Sequence, residues 1–387
     1  MTITAAPLAA ADTSSWPRSR IAVAAAFLAN GLLIGSWAPE IPLFRERLGL
    51  SESQLGLMIL AFGIGAVLTM PVAGRAIAAM GSRMPMIVLH LGLAAALPLL
   101  VFMPSVPLAI LAIVFAGITT GGLDIAMNAS AVSVERRLPK AIMSSCHGFW
   151  SVGGLIGAGA GGFLIEAFGA AGHALVVAGV ILLLWLVVVR HALADGDAAK
   201  AAAPHAAASP DAGPTGSAAA MLKAVAIGLF ALFAMIPEGA AIDWSALYMR
   251  QEIGVDAGTS GLAFAAVSLT MAILRFAGDG IRDRLGAVRT TRLSSLAAGI
   301  GLLLVATANG TPMALAGFAI MGVGIANIVP IAFSPPATSP AFAPEWASAL
   351  FRPSAIPVSW WRRRRSVSSP SIPGWRSSSA ACRCSSW

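Results

Sequence analysis

Long uninterrupted apolar runs constrain the fold of this chain more than any other feature of its sequence. Residues 26–38 read AFLANGLLIGSWA and residues 174–189 read ALVVAGVILLLWLVVV, with no charged residue in either run. A helix that crosses the hydrocarbon core of a bilayer needs about 20 mainly apolar residues, and the chain offers about ten such segments. The strands of an outer-membrane barrel would instead alternate apolar with polar residues. The sequence therefore predicts an all-α protein built of membrane-spanning helices.

The composition leads to the same conclusion and limits the partners. Hydrophobic residues make up 57% of the 387 residues and charged residues only 11%, which is too few charges to cover a soluble fold. The net charge of +8 would be compatible with binding to nucleic acid, but the basic residues stand in turns between apolar runs rather than on one soluble face. We therefore expect the lipid bilayer as partner and no nucleic acid. The three cysteines have no metal-ligand spacing, so neither a metal nor a cofactor is expected.

The apolar runs divide the chain into two groups on either side of a polar linker. The predicted spans cover residues 21–43, 54–74, 84–103, 107–131, 141–168, 172–190, 222–248, 259–278, 290–308 and 312–333. The alanine-rich linker between the groups contains three prolines and no helical periodicity, so it need not bury anything. The predicted domains are a segment at 1–19, a half at 20–190, a linker at 191–221, an incomplete half at 222–333 and a tail at 334–387.

The basic residues also predict an orientation in the membrane. If the N-terminus is cytoplasmic, loops on the inner side carry fourteen Lys and Arg residues against three on the outer side. Cytoplasmic loops of membrane proteins carry an excess of such residues. This pattern favours a bacterial inner membrane protein whose N-terminus and central linker are cytoplasmic.

The second half of the chain repeats the first at a displacement of 205 residues. The possible helix N-caps Ser51 and Asp256 coincide at this displacement, and Gly117 pairs with Gly322. A parallel duplication of two six-helix halves places a substrate site at their interface, near the middle of the membrane. The predicted fold is therefore two pseudo-symmetric six-helix halves, of which the second is incomplete.

The loops between the second and third spans of each half carry a family motif. They resemble the Gly-x-x-x-Asp-x-x-Gly-Arg/Lys signature of the major facilitator superfamily. The first loop supplies Gly74, Gly81 and Arg83 but has Ala78 in the aspartate position. The signature residues of the second loop are Gly278, Asp279, Arg282, Asp283, Arg284 and Gly286. The resemblance implies secondary transport, and it implies that Asp283 with its neighbouring arginines forms a cytoplasmic latch.

A second stretch narrows the resemblance. The sequence EGAAIDWSALYMR begins at Glu238, and Asp124 is followed four residues later by Asn128 in the fourth span. Both features are similar to fucose-type permeases. Their other acidic position, in the first span, corresponds here to Ala38, and the nearby Glu40 is expected on a different face.

The tail after Phe333 does not resemble a membrane protein. Four consecutive arginines at 362–365 stand among scattered prolines and serines, where two further spans are expected. One interpretation is a disordered basic tail, and an RNA-binding or lipid-binding tail is a less favoured alternative. The interpretation favoured here is a shifted reading frame. GC-rich codons that could encode this tail, when read in a frame shifted by one base, encode a plausible eleventh span. Such a product would be truncated, and it could be inactive.

Charged and polar groups inside apolar spans are the candidates for transport chemistry, because a charge at that depth is costly. Asp124 is the first candidate, since a desolvated carboxyl can take up and release a proton as the cavity changes sides. Glu238 is the expected second acid. The remaining candidate cavity residues are Asn30, Trp37, Asn128, His147, Trp150, Asp243, Trp244 and Asn327. The competing interpretation for each of them is a structural contact between helices.

The function predicted from these residues is secondary active transport of a small polar solute, with a sugar as one candidate and protons as the candidate coupling ion. A monomer is expected. Efflux of amphipathic compounds is the alternative of the same class, and a membrane sensor or an inactive truncated product is the alternative of another class. The chain has no GxxxxGK[ST] loop, which argues against a self-contained ATP-driven pump. No nucleophile and base recur at a useful spacing, so an enzyme is not expected.

Overall fold

The computed structural model describes residues 17–138, 142–195, 229 and 235–326, with the side chains of 278–288 excepted. The tail and most of the linker therefore lie outside the described residues. Throughout the described part the secondary structure is helical, without a strand. The helices are α1 (Arg18–Leu48), α2 (Glu52–Met80), α3 (Arg83–Phe102), α4 (Val106–Glu135), α5 (Met143–His191), α6 (residues 235–248, continued by a π-helical turn at Met249–Ile253), α7 (Ala257–Ser260), α8 (Leu262–Ala306) and α9 (Thr311–Ile325).

Most of these helices can cross a membrane. Six described helical segments are both long and apolar enough to span a bilayer: Arg18–Leu48, Glu52–Met80, Arg83–Phe102, Val106–Glu135, Met143–His191 and Ala257–Ala277. The outward faces of several carry exposed leucine and valine side chains, such as Leu57, Leu111 and Leu183, each at least 65% exposed. An apolar exterior of this kind is what lipid tails solvate. The prediction of an all-α membrane protein is confirmed.

The long helix α5 contains two predicted spans. Its 49 residues would be about 74 Å long at 1.5 Å per residue, which is more than twice the thickness of a bilayer core. Gly169 interrupts it with φ 71° and ψ 169°, a conformation that only glycine adopts readily. The break lies inside the gap predicted between the spans 141–168 and 172–190, so this prediction is confirmed.

Helix α8 also contains two spans that lie side by side. In α9, Gly322 lies against Val267 while Gly324, two residues on, lies against Ala298. Residues 267 and 298 of α8 therefore both lie against the same turn of α9, whereas a straight helix would separate them by about 46 Å. The chain therefore reverses between them, as the predicted spans 259–278 and 290–308 require.

The internal repeat is visible in the helix ends. Gly49 ends α1 and Gly254 ends the π-helical turn of α6, both in the left-handed conformation, with φ 63° and 79°. Ser51 and Asp256, two residues further on, each accept a hydrogen bond from the backbone N–H three residues ahead. Both pairs are separated by 205 residues. The predicted N-caps are confirmed, and the same displacement reproduces the local backbone.

The repeat is equally visible in the packing. A Cβ atom on Gly117 of α4 would overlap the backbone of Phe62 in α2. A Cβ atom on Gly322 of α9 would lie 2.6 Å from the carbonyl oxygen of Val267 in α8. Phe62 and Val267 are again 205 residues apart. The two halves therefore use equivalent glycines to bring equivalent helix pairs together.

Glycines also set the contact between α1 and α5. Gly31, Gly35, Gly153 and Gly157 each face the backbone of the opposite helix so closely that an added Cβ would overlap it. The four-residue spacing places them on one stripe of each helix. These four glycines therefore allow the two helices to pack closely. The contact places the first span of α5, and hence Trp150, directly against α1.

Candidate functional site

A cavity lies between α1, α2, α4, α5 and α6. The space between its atoms amounts to about 800 Å³, including the open solvent at its mouth. The wall contributed by α1, α2 and α4 is apolar, and its large members are Ile34, Ile59, Phe62 and Ile113. The two indoles of Trp37 and Trp150 complete this side. Both were predicted as cavity residues.

The ionisable groups of the wall come from α6. Met235, Glu238 and Ile242 recur at helical spacing, so α6 turns one face to the cavity. Glu238 lies on this face, and Asp243 lies at its edge. Their side chains are poorly exposed, 13% for Glu238 and 9% for the Asp243 residue as a whole. The structure thus brings both predicted acids of α6 to the same cavity.

Arg275 of α8 is the basic partner of this site. Its Nη2 atom lies 3.5 Å from the Glu238 Oε1 atom, and Arg275 is 4% exposed. Its Nη1 atom donates a hydrogen bond of 2.7 Å to the Ser151 hydroxyl on α5. The guanidinium carbon lies 5.8 Å from the ring centroid of Trp150, within the range of a cation–π contact. One buried cation therefore connects α6 and α8 of the second half to α5 of the first.

Sequence reasoning missed Arg275. It stands in the predicted span 259–278, within the apolar run LTMAILRFAG. The rule that selected Asp124 and Glu238, that a charge inside an apolar span needs a reason, applies to Arg275 equally well. Arg275 stands three residues before the second signature loop, and it belongs to the span rather than to the loop.

Behind Trp150 lies a neutral hydrogen-bonded group. The Trp150 indole N–H donates to the Asn30 side-chain oxygen at 2.9 Å. The Asn30 amide donates in turn to the Thr120 carbonyl at 3.1 Å. Asn30 is fully buried, and it does not line the described cavity wall. Its position is therefore that of a support for the Trp150 ring rather than of a direct solute ligand.

The other aromatic candidates have different positions. Trp37 lines the cavity, and its ring packs edge-on against Phe44 at 5.2 Å. The His147 ring packs edge-on against Phe27 at 5.1 Å, and its backbone carbonyl accepts a 3.5 Å hydrogen bond from Arg275. Trp244 is buried, and it does not belong to the described wall of the cavity.

Asp124 and Asn128 stand on α4 outside the described cavity wall. The Asn128 amide donates at 2.7 Å to the backbone carbonyl of Asp124, one turn earlier in the same helix. The contact follows the predicted one-turn spacing, but it involves the backbone rather than the carboxyl. A role for Asp124 in proton transfer stays a prediction, and Asn327 lies outside the described residues.

A second buried titratable pair connects α1 to α5. The Glu40 carboxylate lies 2.6 Å from His173 Nδ1, and both side chains are at most 2% exposed. Glu40 does not line the cavity, in agreement with the different face expected for it. His173 was not singled out from the sequence, although a histidine in an apolar span carries the same signal as an acid.

In the first signature loop, Ser82 donates hydrogen bonds to Asp195, an acid that lies outside the motif. Gly81 ends α2 with φ 82°, and the Arg83 guanidinium donates to the Val189 carbonyl at 3.2 Å. The carboxylate of Asp195 accepts from the Ser82 backbone N–H at 2.8 Å and from its hydroxyl at 2.7 Å. Ser133 of α4 donates to the same carboxylate at 2.9 Å. Asp195 thus caps α3.

Asp195 belongs to the start of the predicted linker. The sequence predicted that the linker need not bury anything, and the structure shows that Ala192 and Asp195 at its beginning are buried. Gly74 is exposed with open space around it. The side chains of the second signature loop, from Gly278 to Gly286, are outside those described, and the latch predicted for Asp283 stays a prediction.

A helical membrane bundle with a parallel internal repeat and a cavity between its halves has the architecture of a secondary transporter. Residues 21–341 match the Major Facilitator Superfamily. The chain is 31% identical over 322 residues to an uncharacterized transporter of Sinorhizobium fredii, covering 81% of this chain and 80% of the relative. It is 31% identical over 309 residues to an uncharacterized MFS-type transporter of Yersinia pestis, covering 80% and 78% of the two chains.

A solved structure shows the same fold. The nucleoside transporter NupG aligns with a TM-score of 0.58 over 86% of this chain and 85% of its own, at 15% sequence identity. The chain therefore belongs to the major facilitator superfamily. It is an integral membrane transporter and not an enzyme. The narrower resemblance to fucose-type permeases and the shifted reading frame stay predictions.

Proposed function

We propose that this chain is a proton-coupled secondary transporter that moves a small organic solute by alternating access, with Glu238 as its proton acceptor. The observation that carries the proposal is the ion pair between Glu238 and Arg275 at the cavity wall. This pair joins two helices of the second half, and through Ser151 and Trp150 the arginine also contacts the first half. A change in the charge of Glu238 therefore acts on the interface between the halves.

The physical reason for coupling is the cost of an unpaired buried charge. With Glu238 ionised, the carboxylate and the guanidinium offset each other in a site of low exposure. A proton on Glu238 removes that partner and leaves the Arg275 charge buried, at a cost of several kcal/mol. A conformation that hydrates Arg275 then becomes relatively more stable. Proton binding shifts the population between conformations in this way.

The solute itself is proposed only as a class. The sequence favours a small polar solute, with sugars among the candidates, and efflux of amphipathic compounds is the alternative. Both share the same cavity and the same coupling pair. A sensor or an inactive product would bind a ligand in this cavity without carrying it across a membrane.

Proteoliposome assays separate these functions. We expect the chain to exchange at least one of the labelled probes D-xylose, uridine and tetraphenylphosphonium for its unlabelled form, and to accumulate that probe when a proton gradient is imposed. Glu238→Gln imitates the protonated carboxyl permanently. It should keep the exchange, because the loaded carrier still alternates, and lose about tenfold or more of the gradient-driven accumulation.

The matched control is Glu252→Gln, an exposed acid in the π-helical turn that continues α6. It should leave exchange and accumulation unchanged. Full accumulation by Glu238→Gln would place coupling elsewhere. Asp124→Asn in the same assay tests the acid of α4, and undiminished accumulation excludes it from the proton path. Exchange of none of the probes would contradict the proposed transport activity.

We further propose that the N-terminus and the central linker face the cytoplasm of a bacterial inner membrane. The excess of basic residues on one set of loops supports this orientation. Arg136, exposed at the end of α4, and the exposed Glu252 stand on opposite sides in this arrangement. In intact spheroplasts, a membrane-impermeant maleimide should label Glu252→Cys but not Arg136→Cys. The reverse result would invert the orientation.

A further inference from the structure

We propose that the cavity binds an amphipathic organic cation, held by the carboxylates of Glu238 and Asp243 and by the indole faces of Trp37 and Trp150. This inference rests on the proposed function, because it names the solute class of the same cavity. It favours the efflux alternative over the sugar among the expectations derived from the sequence.

The first argument is the kind of polar group on the wall. Of the described residues that line the cavity, the only two ionisable ones are Glu238 and Asp243, and both are acids. None of the described lining residues carries an amide or a hydroxyl group. A sugar needs several donors and acceptors for its hydroxyls, since burying a hydroxyl without a partner is costly. Carboxylates alone offer acceptors, and an ammonium group offers only donors.

The second argument is that the neutral polar groups nearby are already used. The Asn30 amide bonds to Thr120 and to the Trp150 indole, and Asn30 is fully buried. The Trp150 N–H is occupied by that same contact, so its ring offers the cavity a π face rather than a donor. A flat, electron-rich face next to a carboxylate is a favourable surface for a cation.

The third argument is that the site already holds one cation. The Arg275 guanidinium lies over the Trp150 ring and beside Glu238. A carboxylate has two oxygens and can accept several hydrogen bonds, and the 3.5 Å contact of Glu238 with Arg275 uses its Oε1 atom. A second cation entering from the cavity can contact the opposite side of the same carboxylate.

The remaining surface of the cavity fits the apolar part of such a solute. Ile34, Phe62 and Ile113 contribute hydrocarbon across from α6. The charged end of the solute would lie against α6, and its apolar body would lie against α1, α2 and α4.

Cation binding and proton binding then compete for one carboxyl group. When a cation binds to protonated Glu238, the O–H bond breaks, the proton leaves to solvent, and the cation takes its place beside the carboxylate. One positive charge is exchanged for another. In the described part, the ionisable groups of this site besides Glu238 are Arg275 on α8 and Asp243 on α6, and the backbone carbonyl of His147 on α5 accepts from Arg275, while α1, α2 and α4 contribute no ionisable residue to the wall. The expected transport mode is exchange of a proton for a cation.

The test uses two probes of nearly identical shape and opposite charge. The full chain in lipid nanodiscs is titrated with tetraphenylphosphonium and with tetraphenylborate, and binding is measured relative to empty nanodiscs. We expect tetraphenylphosphonium to bind about tenfold or more tighter than tetraphenylborate or D-xylose.

Variants locate the binding to the cavity. Glu238→Gln should lower tetraphenylphosphonium affinity about tenfold, and Glu238→Asp should restore part of that affinity. Asp243→Asn provides a second measurement if Glu238→Gln does not fold, and it should also lower the affinity. Glu252→Gln, outside the cavity, should match the unsubstituted chain. Unchanged affinity in both Glu238→Gln and Asp243→Asn would overturn the proposal, as would tighter binding of tetraphenylborate or D-xylose.

Failure of this inference is distinguishable from failure of the proposed function. Charge-selective binding of tetraphenylphosphonium without exchange of any probe in liposomes would retain the cation site and contradict transport. Proton-driven accumulation of D-xylose without tetraphenylphosphonium binding would retain the transporter and contradict the cation site.

Discussion

The two halves of this transporter share their helix caps and close-packing glycines, but they differ in the charged residues that they bring to the cavity. The second half contributes the buried ion pair of Glu238 and Arg275. At a displacement of 205 residues, the equivalent positions in the first half are Leu33 and Met70, which are 3% and 2% exposed. The helix caps and the glycine contacts are repeated, whereas the charges are not. Packing is therefore the part of the duplication that both halves require, whereas the ionisable residues of the cavity wall come from the second half alone among the described residues.

The first half contributes a different type of polar contact. Asn30 and Trp150 form a neutral hydrogen bond between α1 and α5, and the repeat equivalent of Asn30 is Met235. A neutral bond keeps its strength when a nearby carboxyl group changes protonation, whereas an ion pair does not. At the cavity, the comparison assigns a fixed contact to the first half and a charge-sensitive contact to the second. The following substitutions test that assignment.

The largest effect is expected in the framework of the first half. Gly31→Val places a branched side chain against the Trp150 backbone, where even a Cβ overlaps it. Because the overlap is with backbone atoms of the neighbouring helix, we expect loss of most of the folded protein, seen as lost monodisperse yield, and a lower melting temperature of any folded fraction. Gly179→Val is the matched control, because nothing lies within 4 Å of Gly179 on α5. Equal melting of the two variants would contradict the close packing of α1 on α5.

The next effect concerns the ion pair. Arg275→Met leaves Glu238 ionised and unpaired in a poorly exposed site, and it should cost about 3–5 kcal/mol. Adding Glu238→Leu reproduces the residue types that the first half has at the equivalent positions. This double variant should regain most of the lost thermal stability, yet remain inactive in proton-driven accumulation. If the double variant is no more stable than Arg275→Met, the unpaired carboxylate of Glu238 is not the cause of the lost stability.

A smaller effect is expected from the neutral contact. Trp150→Phe keeps a ring over Arg275 but removes the donor to the buried Asn30 oxygen. The expected cost is about 1–3 kcal/mol, measured by thermal unfolding. The double variant with Asn30→Leu should cost less than the sum of the two single changes, by about 0.5 kcal/mol or more, because the two residues contact each other. Strict additivity would mean that the hydrogen bond adds nothing.

The smallest effects belong to the paired helix caps. Ser51→Ala and Asp256→Ala each remove a side chain that accepts a backbone N–H three residues ahead, and each should cost about 1 kcal/mol. Hydrogen bonds from Thr259 lower the pKa of Asp256, which is an exposed group at the end of its helix. The folded state therefore favours the carboxylate, so its contribution is present at neutral pH and is lost as the pH falls through the lowered pKa.

That difference between the caps can be measured. The stability difference between the unsubstituted chain and Asp256→Ala should shrink below about pH 4, whereas the difference for Ser51→Ala should not depend on pH. Melting curves of all three proteins at about pH 7 and about pH 3 give both differences. A cap of Asp256 that keeps its full effect in acid would contradict the assigned hydrogen bonds.

The sequence by itself determined the helical membrane fold and the repeat. Spans, caps and close-packing glycines depend on interactions within one helix or on a stripe of small residues, and both are visible as local patterns. The break at Gly169 and the caps at Ser51 and Asp256 were predictable for that reason. Glu238 and Trp37 were also recognisable, because charged and indole groups are conspicuous in apolar runs.

Only the tertiary structure decided which of these groups meet. Arg275 and Trp150 are separated by 125 positions in the sequence, and Glu40 and His173 by 133. No local periodicity encodes such a contact, because it depends on which helix faces which neighbour and on the angular position of each side chain. Trp37 and Asp124 are both polar groups in apolar spans, yet Trp37 lines the cavity and Asp124 stands outside its described wall. The angular position of each side chain on its helix makes this difference.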